Sequence, residues 1–510
     1  MPTLVDPGAS RKEKSNAKKA SVLKGVPERF LHPELSCSDS DPATVLDAPT
    51  SLLSSDELEI TSLDAVQIVN AIARGTYTSV QVLDAFTHRA CIAHRLLNCC
   101  LEFRYQDARA EAEPLDGYFQ VTGKTKGPMH GLPISVKDQC RIIGTETTYG
   151  FMCQVGVRDT ENCTLVNALM GAGAVIFVKT NLSIGCLWGE TINNIIGHTS
   201  NPFNRSFSCG GSSGGEGALL GNEIVESVVG PMSHSPQSLE LFTKSAVDSQ
   251  PWLHDPKCHP IPWRGTEFTD IISGRPLRIG IMLWDGCVFP QPPIRRAIRE
   301  LEVKLRHAGH EIIPWKLDHH ERWNYWAFTS DARGDFDRTM AKSGEPDLGL
   351  SFRPNQRPLT ILEAWELAMK RVDFQASVLE QWNETGTNNT HPLDAYISPV
   401  NPSVAPMHGN YKHIRYLGYT GTVNLLNFTA CTVPVTFVKP DIDLTDQPNG
   451  CLDAAGNPIP PPASELDRNI RENYKPDRFE GLPVTVQIVG RRLEEKLLGI
   501  AQVIQKLLKA

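Results

Sequence analysis

Residues 131–138 read Gly-Leu-Pro-Ile-Ser-Val-Lys-Asp, and residues 209–217 read Cys-Gly-Gly-Ser-Ser-Gly-Gly-Glu-Gly. In the first stretch Ile134 and Val136 alternate with Ser135 and Lys137, the period-two pattern of a strand, so Lys137 is expected at a strand end on the face opposite the two aliphatics. Taken alone, a lysine in such a place is usually a solvated surface residue. The second stretch gathers five glycines and two serines into nine residues, a backbone that turns tightly or approaches something closely. It lacks the Gly-Lys-Ser/Thr ending of a phosphate-binding loop. Gly211, Ser213 and Gly215 formally fit a nucleophile elbow, but residues 201–207 before them are a polar turn and not a strand. A plain flexible linker is disfavoured by the regular sequence on both sides.

Working outward, strands alternate with helices, which predicts an α/β fold with a central mixed sheet covered by helices on both faces. Residues 160–172 read as a helix, residues 174–178 (Ala-Val-Ile-Phe-Val) as a strand buried on both faces, residues 482–489 as a further strand, and residues 493–508 as an amphipathic helix. The two strands are expected in one sheet. Upstream, Ser62 is a candidate cap for a helix ending at Gly75, and Thr78 for a second helix packed on it. Residues 1–55, rich in Lys, Ser, Asp and Pro, read as a mobile arm, with one domain over 56–510. The Pro- and Asp-dense residues 440–477 read as a long surface excursion. Trp188, Trp323 and Trp326 are candidate pocket walls, although tryptophans so placed are more often core.

Across 510 residues, 50 Lys and Arg against 58 Asp and Glu give a net charge of -8, which argues against a nucleic-acid surface. Thirteen cysteines lack the paired spacings of a disulfide framework or zinc site, so free thiols in a reducing compartment are expected. The basic N-terminus has no apolar run behind it, and nothing reads as a membrane span. These features predict a cytoplasmic protein without cofactor or metal. A homo-oligomer is compatible with everything above.

The two stretches, 75 residues apart from Lys137 to Ser212, together resemble the amidase-signature family. Arg89, Ala90 and Asn98, then Lys179, Thr180 and Asn181, then residues 230–233, 394–399 and 481–492 are similar to further blocks of its fungal acetamidase-like and fatty-acid-amide-hydrolase-like branches. The resemblance implies hydrolysis of a small-molecule carboxylic amide by a lysine, a bridging serine on a cis peptide and a nucleophilic serine. Lys137 corresponds to the base and Ser212 to the bridging serine. Ser213 is expected to orient them, and Cys186 falls where the family lines its acyl site, so Cys186 and Ser212 are the substrate-binding candidates.

One block of the family pattern is absent. After the glycine loop the family has a strand and a Gly-Gly-Ser turn whose serine attacks. Here Glu216 to Leu220 runs through Gly221 and Asn222 straight into sequence resembling the region beyond. Ser227, Ser233 and Ser235 lie nearby, but none follows two glycines, so none is assigned as nucleophile. The leading expectation is an amidase shortened after Gly221. A non-catalytic amide- or partner-binding descendant is the alternative, and an amidotransferase subunit feeding ammonia to a charged tRNA is a weaker third.

Overall fold

The computed structural model describes residues 10–37, 42–219, 230–317, 334–349, 359–386, 390–446 and 452–509 apart from 454, 455 and 457. The expectations for Gly221, Ser227, Trp323 and Trp326 lie outside these residues.

Among the described residues ten strands form two mixed sheets and one hairpin. In the first sheet β3 (Val175–Thr180) lies between β1 (Cys100–Phe103) and β2 (Pro133–Lys137), antiparallel to β1 and parallel to β2. All six residues of β3 are buried, as its apolar run predicts. The hairpin pairs β4 (Ile192–Asn193) with β5 (Gly197–His198). The second sheet has the order β7-β6-β8-β10-β9, from β6 (Arg278–Ile281), β7 (Glu311–Pro314), β8 (Ala395–Pro399), β9 (Thr429–Phe437) and β10 (Pro483–Gly490). β6 runs parallel to β7 and β8, whereas β10 is antiparallel to β8 and β9.

Helices form where caps and apolar spacing coincide. Thr78 and Gln81 make a reciprocal capping box at the start of Ser79–Leu97, which ends on a left-handed Asn98. Ser62 does not cap the helix that follows it. It closes Ser55–Ser62 with its hydroxyl on Glu59 O, and Asp64 caps Ala65–Ala73 because Gln67, three residues on, returns the bond. The expected helix over 160–172 is shorter, Thr164–Gly171. The last helix is Lys496–Lys509, with Leu497, Ile500 and Ile504 buried in the cluster under the second sheet; Leu493, at a φ of 59°, stands outside it.

Two segments carry more structure than their composition suggests. Within residues 1–55, Arg11–Ser21 is a helix with a Ser10–Glu13 capping box. Lys18 is buried in an ion pair with Glu146 at 3.0 Å, and Val22, Val26 and Phe30 join the cluster around Ser79–Leu97. The described residues of 440–477 are tied down by a bidentate Arg296–Asp443 pair, by Tyr474 Oη donating to Asp443 O at 2.9 Å, and by the buried Ile470 of helix Glu465–Asn473.

Among the described residues the two strands expected in one sheet do not share it: β3 and β10 belong to different sheets. The reason lies at the edges. Among the described residues β2 ends the first sheet and β9 the second, and both border one cavity of about 2610 Å³, lined by Ser135 and Lys137 of β2 and by Ala430, Thr432 and Pro434 of β9. Pro236–Asp248 joins the halves, packing on Ala65–Ala73 and Thr164–Gly171 and also on Lys496–Lys509, where Gln502 Nε2 donates to Glu240 Oε2 at 3.1 Å. A strand edge without a partner strand has ladder groups left to water. In hydrogen exchange, the amides of β9 that point away from β10 should therefore exchange much faster than those of β10, which has strands on both sides. Equal protection along β9 and β10 would show that the edge is covered.

Candidate active site

β2 delivers Lys137 to the cavity, and its alternation works as the sequence predicts. Val136 is buried and Ile134 partly so, packed with Ile142, Val166 and Ile176 behind the strand. Ser135 and Lys137 take the other face. Ser135 Oγ donates to Glu216 Oε2 at 2.7 Å, and Lys137 Nζ donates to Ser212 Oγ at 2.7 Å, a short, well-formed hydrogen bond. The Gly211–Ser212 peptide bond is cis.

The glycines hold this loop by close approach. A Cβ on Gly211 would stand 2.5 Å from Trp188 O, and one on Gly215 would stand 2.3 Å from Asn181 N and 2.6 Å from Cys99 O. Gly215 N donates to Asn181 O and Ser183 N to Ser212 O, so the loop is pinned against the segment leaving β3. It then turns directly into the short helix Gly214–Leu219.

Burial governs the charges here. It pushes the Lys137 ammonium below its ordinary pKa, against the pull of Cys186, Cys140, Glu216 and Asp138. Glu216, also buried, accepts from Ser135 and from Thr180 Oγ1 at 2.9 Å, and burial raises its pKa. Asp138 accepts from Thr148 N and Oγ1 at 2.8 Å and from Tyr149 N at 3.0 Å, with Lys179 Nζ 3.8 Å away; burial raises its pKa too. Neither carboxylate was singled out from the sequence. The available signal was alternation, since Ser135 shares the face of Lys137 and needs a partner once that face is inside.

Cys186 opens onto the same cavity, with a φ of 56° and its Sγ 3.4 Å from Gln139 Oε1; burial pushes its thiol up. The structure thus brings Lys137, Ser212 and Cys186 to one wall. Ser213 lines the cavity too, yet among the described residues its hydroxyl makes no hydrogen bond to Lys137 or Ser212, so the expected orienting contact is not seen. Ser235 caps Pro236–Asp248 and donates to Asp64, and Ser233 Oγ accepts from Ser235 N; both hydroxyls serve the helix start. Trp188 is buried core, edge-on to Tyr411 with ring centroids 5.0 Å apart.

The family model Amidase matches residues 81–227 and again 221–498. An acetamidase of Emericella nidulans is 36% identical over 550 aligned positions, covering 96% of this chain and 97% of that protein. An acetamidase of Aspergillus oryzae is 34% identical over 562 positions, covering 98% and 99%. Among solved structures, a fatty acid amide hydrolase superposes with a TM-score of 0.87 at 27% identity, covering 98% of this chain and 95% of that one. The chain therefore belongs to the amidase-signature family of amide hydrolases.

Proposed function

We propose that this chain carries the proton-relay half of an amidase site, with Lys137 as base and Ser212 as bridge, and lacks the nucleophile that would use it. The observation that carries the reading is the 2.7 Å bond from Lys137 Nζ to Ser212 Oγ on the cavity wall. A lysine kept neutral by burial takes the Ser212 proton while Ser212 takes one from an attacking hydroxyl, and the reverse route protonates the leaving amine. Cys186 would border the acyl portion of a small amide.

Three findings support a block lost after Gly221. The family model matches in two pieces that meet at residues 221–227. The alignments to the two acetamidases, 550 and 562 positions, are longer than the 510-residue chain itself. Among the described residues β2 and β9 each stand at the end of a sheet, and residues of both line one cavity of about 2610 Å³. The twelve described cysteines are all free thiols, which fits the reducing cytoplasm.

Removing the attacking serine from a comparable hydrolase lowers turnover by about a millionfold, and losing oxyanion donors removes much of the remainder. The purified chain should therefore hydrolyse neither simple amides nor esters and should resist a serine-directed fluorophosphonate. Inserting the family's strand and Gly-Gly-Ser turn after Gly221 should restore labelling, and Lys137→Ala in that restored protein should abolish most turnover. Lys137-dependent hydrolysis by the unmodified chain would sink the proposal.

Lys137 also predicts a pH effect on stability. Its folded pKa is lowered, so between that value and the unfolded value of about 10.4 the unfolded chain holds a proton that the folded chain lacks. Stability from this group thus rises with pH across that window, and the penalty for burying charge is complete below it. Lys137→Met should flatten this slope and stabilise the chain most on the acidic side, as read by denaturant unfolding at several pH values. Identical slopes for both proteins would mean that Lys137 is not charged at the expense of folding.

A further inference from the structure

Away from the relay, three segments converge on Glu190, His198 and His408. One ligand atom from each lies within 4.8 Å of the other two. Glu190 follows the turn that passes behind Gly211, where a Cβ would stand 3.0 Å from the Glu190 carbonyl carbon. His198 sits on β5, opposite Ile192, with its carbonyl accepting from Asn98 Nδ2 at 2.8 Å. His408 follows Met407, whose bridge to Phe207 fixes that loop.

The geometry points to a site for a divalent transition-metal ion of the zinc or cobalt kind, bound by the Glu190 carboxylate and the imidazoles of His198 and His408. Two imidazoles and a carboxylate form a borderline N₂O donor set that suits such ions and not calcium or magnesium. His408 is arranged as a metal-binding histidine usually is: its Nε2 lies 3.2 Å from Arg205 O and 3.4 Å from Ser200 Oγ, which fixes the ring and turns Nδ1 toward the carboxylate. That Nδ1 stands 3.9 Å from Glu190 Oε1, too far for a hydrogen bond but suited to a cation between them. The two rings are edge to face at 4.8 Å, so neither blocks the other's approach. Ligand atoms around a tetrahedral zinc lie about 3.4 Å apart for bonds near 2.05 Å; small side-chain rotations close the difference.

Electrostatics favour the ion as well. Glu190 is 3% exposed and burial raises its pKa, offset by the backbone amides of Gly409 and Tyr411, by Trp188 and by the charge of Lys412. A dication would place full positive charge beside this buried carboxylate. It would also clamp the turn behind Gly211, the β4–β5 hairpin and the 407–411 loop to one another, so its role is structural support for the glycine loop and not chemistry on substrate.

The test uses the full 510-residue chain after removal of adventitious metal. Titration with Co²⁺ should give d–d absorption that saturates at one equivalent and is displaced by Zn²⁺, and Zn²⁺ should raise the thermal midpoint. X-ray absorption of the zinc-loaded chain should show a nitrogen and oxygen shell with imidazole scattering and no sulfur at about 2.3 Å. His198→Gln and His408→Gln should each weaken binding about tenfold or more. The absence of saturable binding, a sulfur shell indicating capture by cysteines, or unchanged affinity in the double variant would each overturn the proposal. Because the absorption measurement is made on the unsubstituted chain, it decides even if the variants fail to fold.

Discussion

Ser212 reaches Lys137 only because the loop that carries it lies in van der Waals contact with the backbone on either side. Gly211 against Trp188 and Glu190, Gly214 against the Thr191 hydroxyl, and Gly215 against Asn181 and Cys99 leave no room for a Cβ. Everything else at the site is arranged around that contact. β3 is buried along its whole length so that residues 181–183, which follow it, can receive the loop, and the Asn193 side chain holds Asn181 and Leu182 in place by hydrogen bonds of 2.7 and 2.8 Å. A larger residue at any of these glycines would move Ser212 away from Nζ, and a hydrogen bond of 2.7 Å has little tolerance for displacement.

The second constraint is charge. Lys137 sits among Asp138, Glu216 and Lys179, and each of the other three has its own fixed partners. Asp138 is held by amides and a hydroxyl of residues 148–149, Glu216 by two hydroxyls, and Lys179 by Glu146 O at 2.6 Å and Thr147 Oγ1 at 2.9 Å. With those charges satisfied locally, Lys137 is left with a neutral partner, Ser212. A lysine whose hydrogen-bond partner is a hydroxyl and whose ammonium is largely withdrawn from solvent is the one that burial can neutralise. The network extends outward through Lys18, which meets Glu146 and so ties the N-terminal helix to the same cluster.

Much of this was legible in the sequence because it depends on local pattern. Alternation around Lys137 gave the strand and the facing of its side chains, and Thr78 with Gln81 gave a helix start. What the sequence hid was held by long-range partners. The N-terminal helix has little apolar content and is anchored by one buried lysine, which no periodicity marks. The Pro- and Asp-dense segment is ordered by Arg296 and Tyr474, residues far from it in the chain or at its end. Ser62 and Asp64 were both plausible caps, and the choice between them turned on Gln67. Glu190, His198 and His408 share no spacing, since the hairpin and a loop two hundred residues later bring them together.

The division into two sheets belongs to the same argument. In a chain whose relatives align to it almost from end to end, β2 and β9 would be expected to have neighbours on both sides, since interior strands leave no ladder groups unmet. Among the described residues each stands at the end of its sheet, and residues of both line the cavity that Lys137 also lines. The Lys137–Ser212 contact, the ends of the two described sheets and the two-piece family match around residues 221–227 thus bear on one location from three directions. A segment able to pair with β2 and β9 would close the sheet and stand before Ser212 at once, because β2 supplies both the unpaired edge and the lysine.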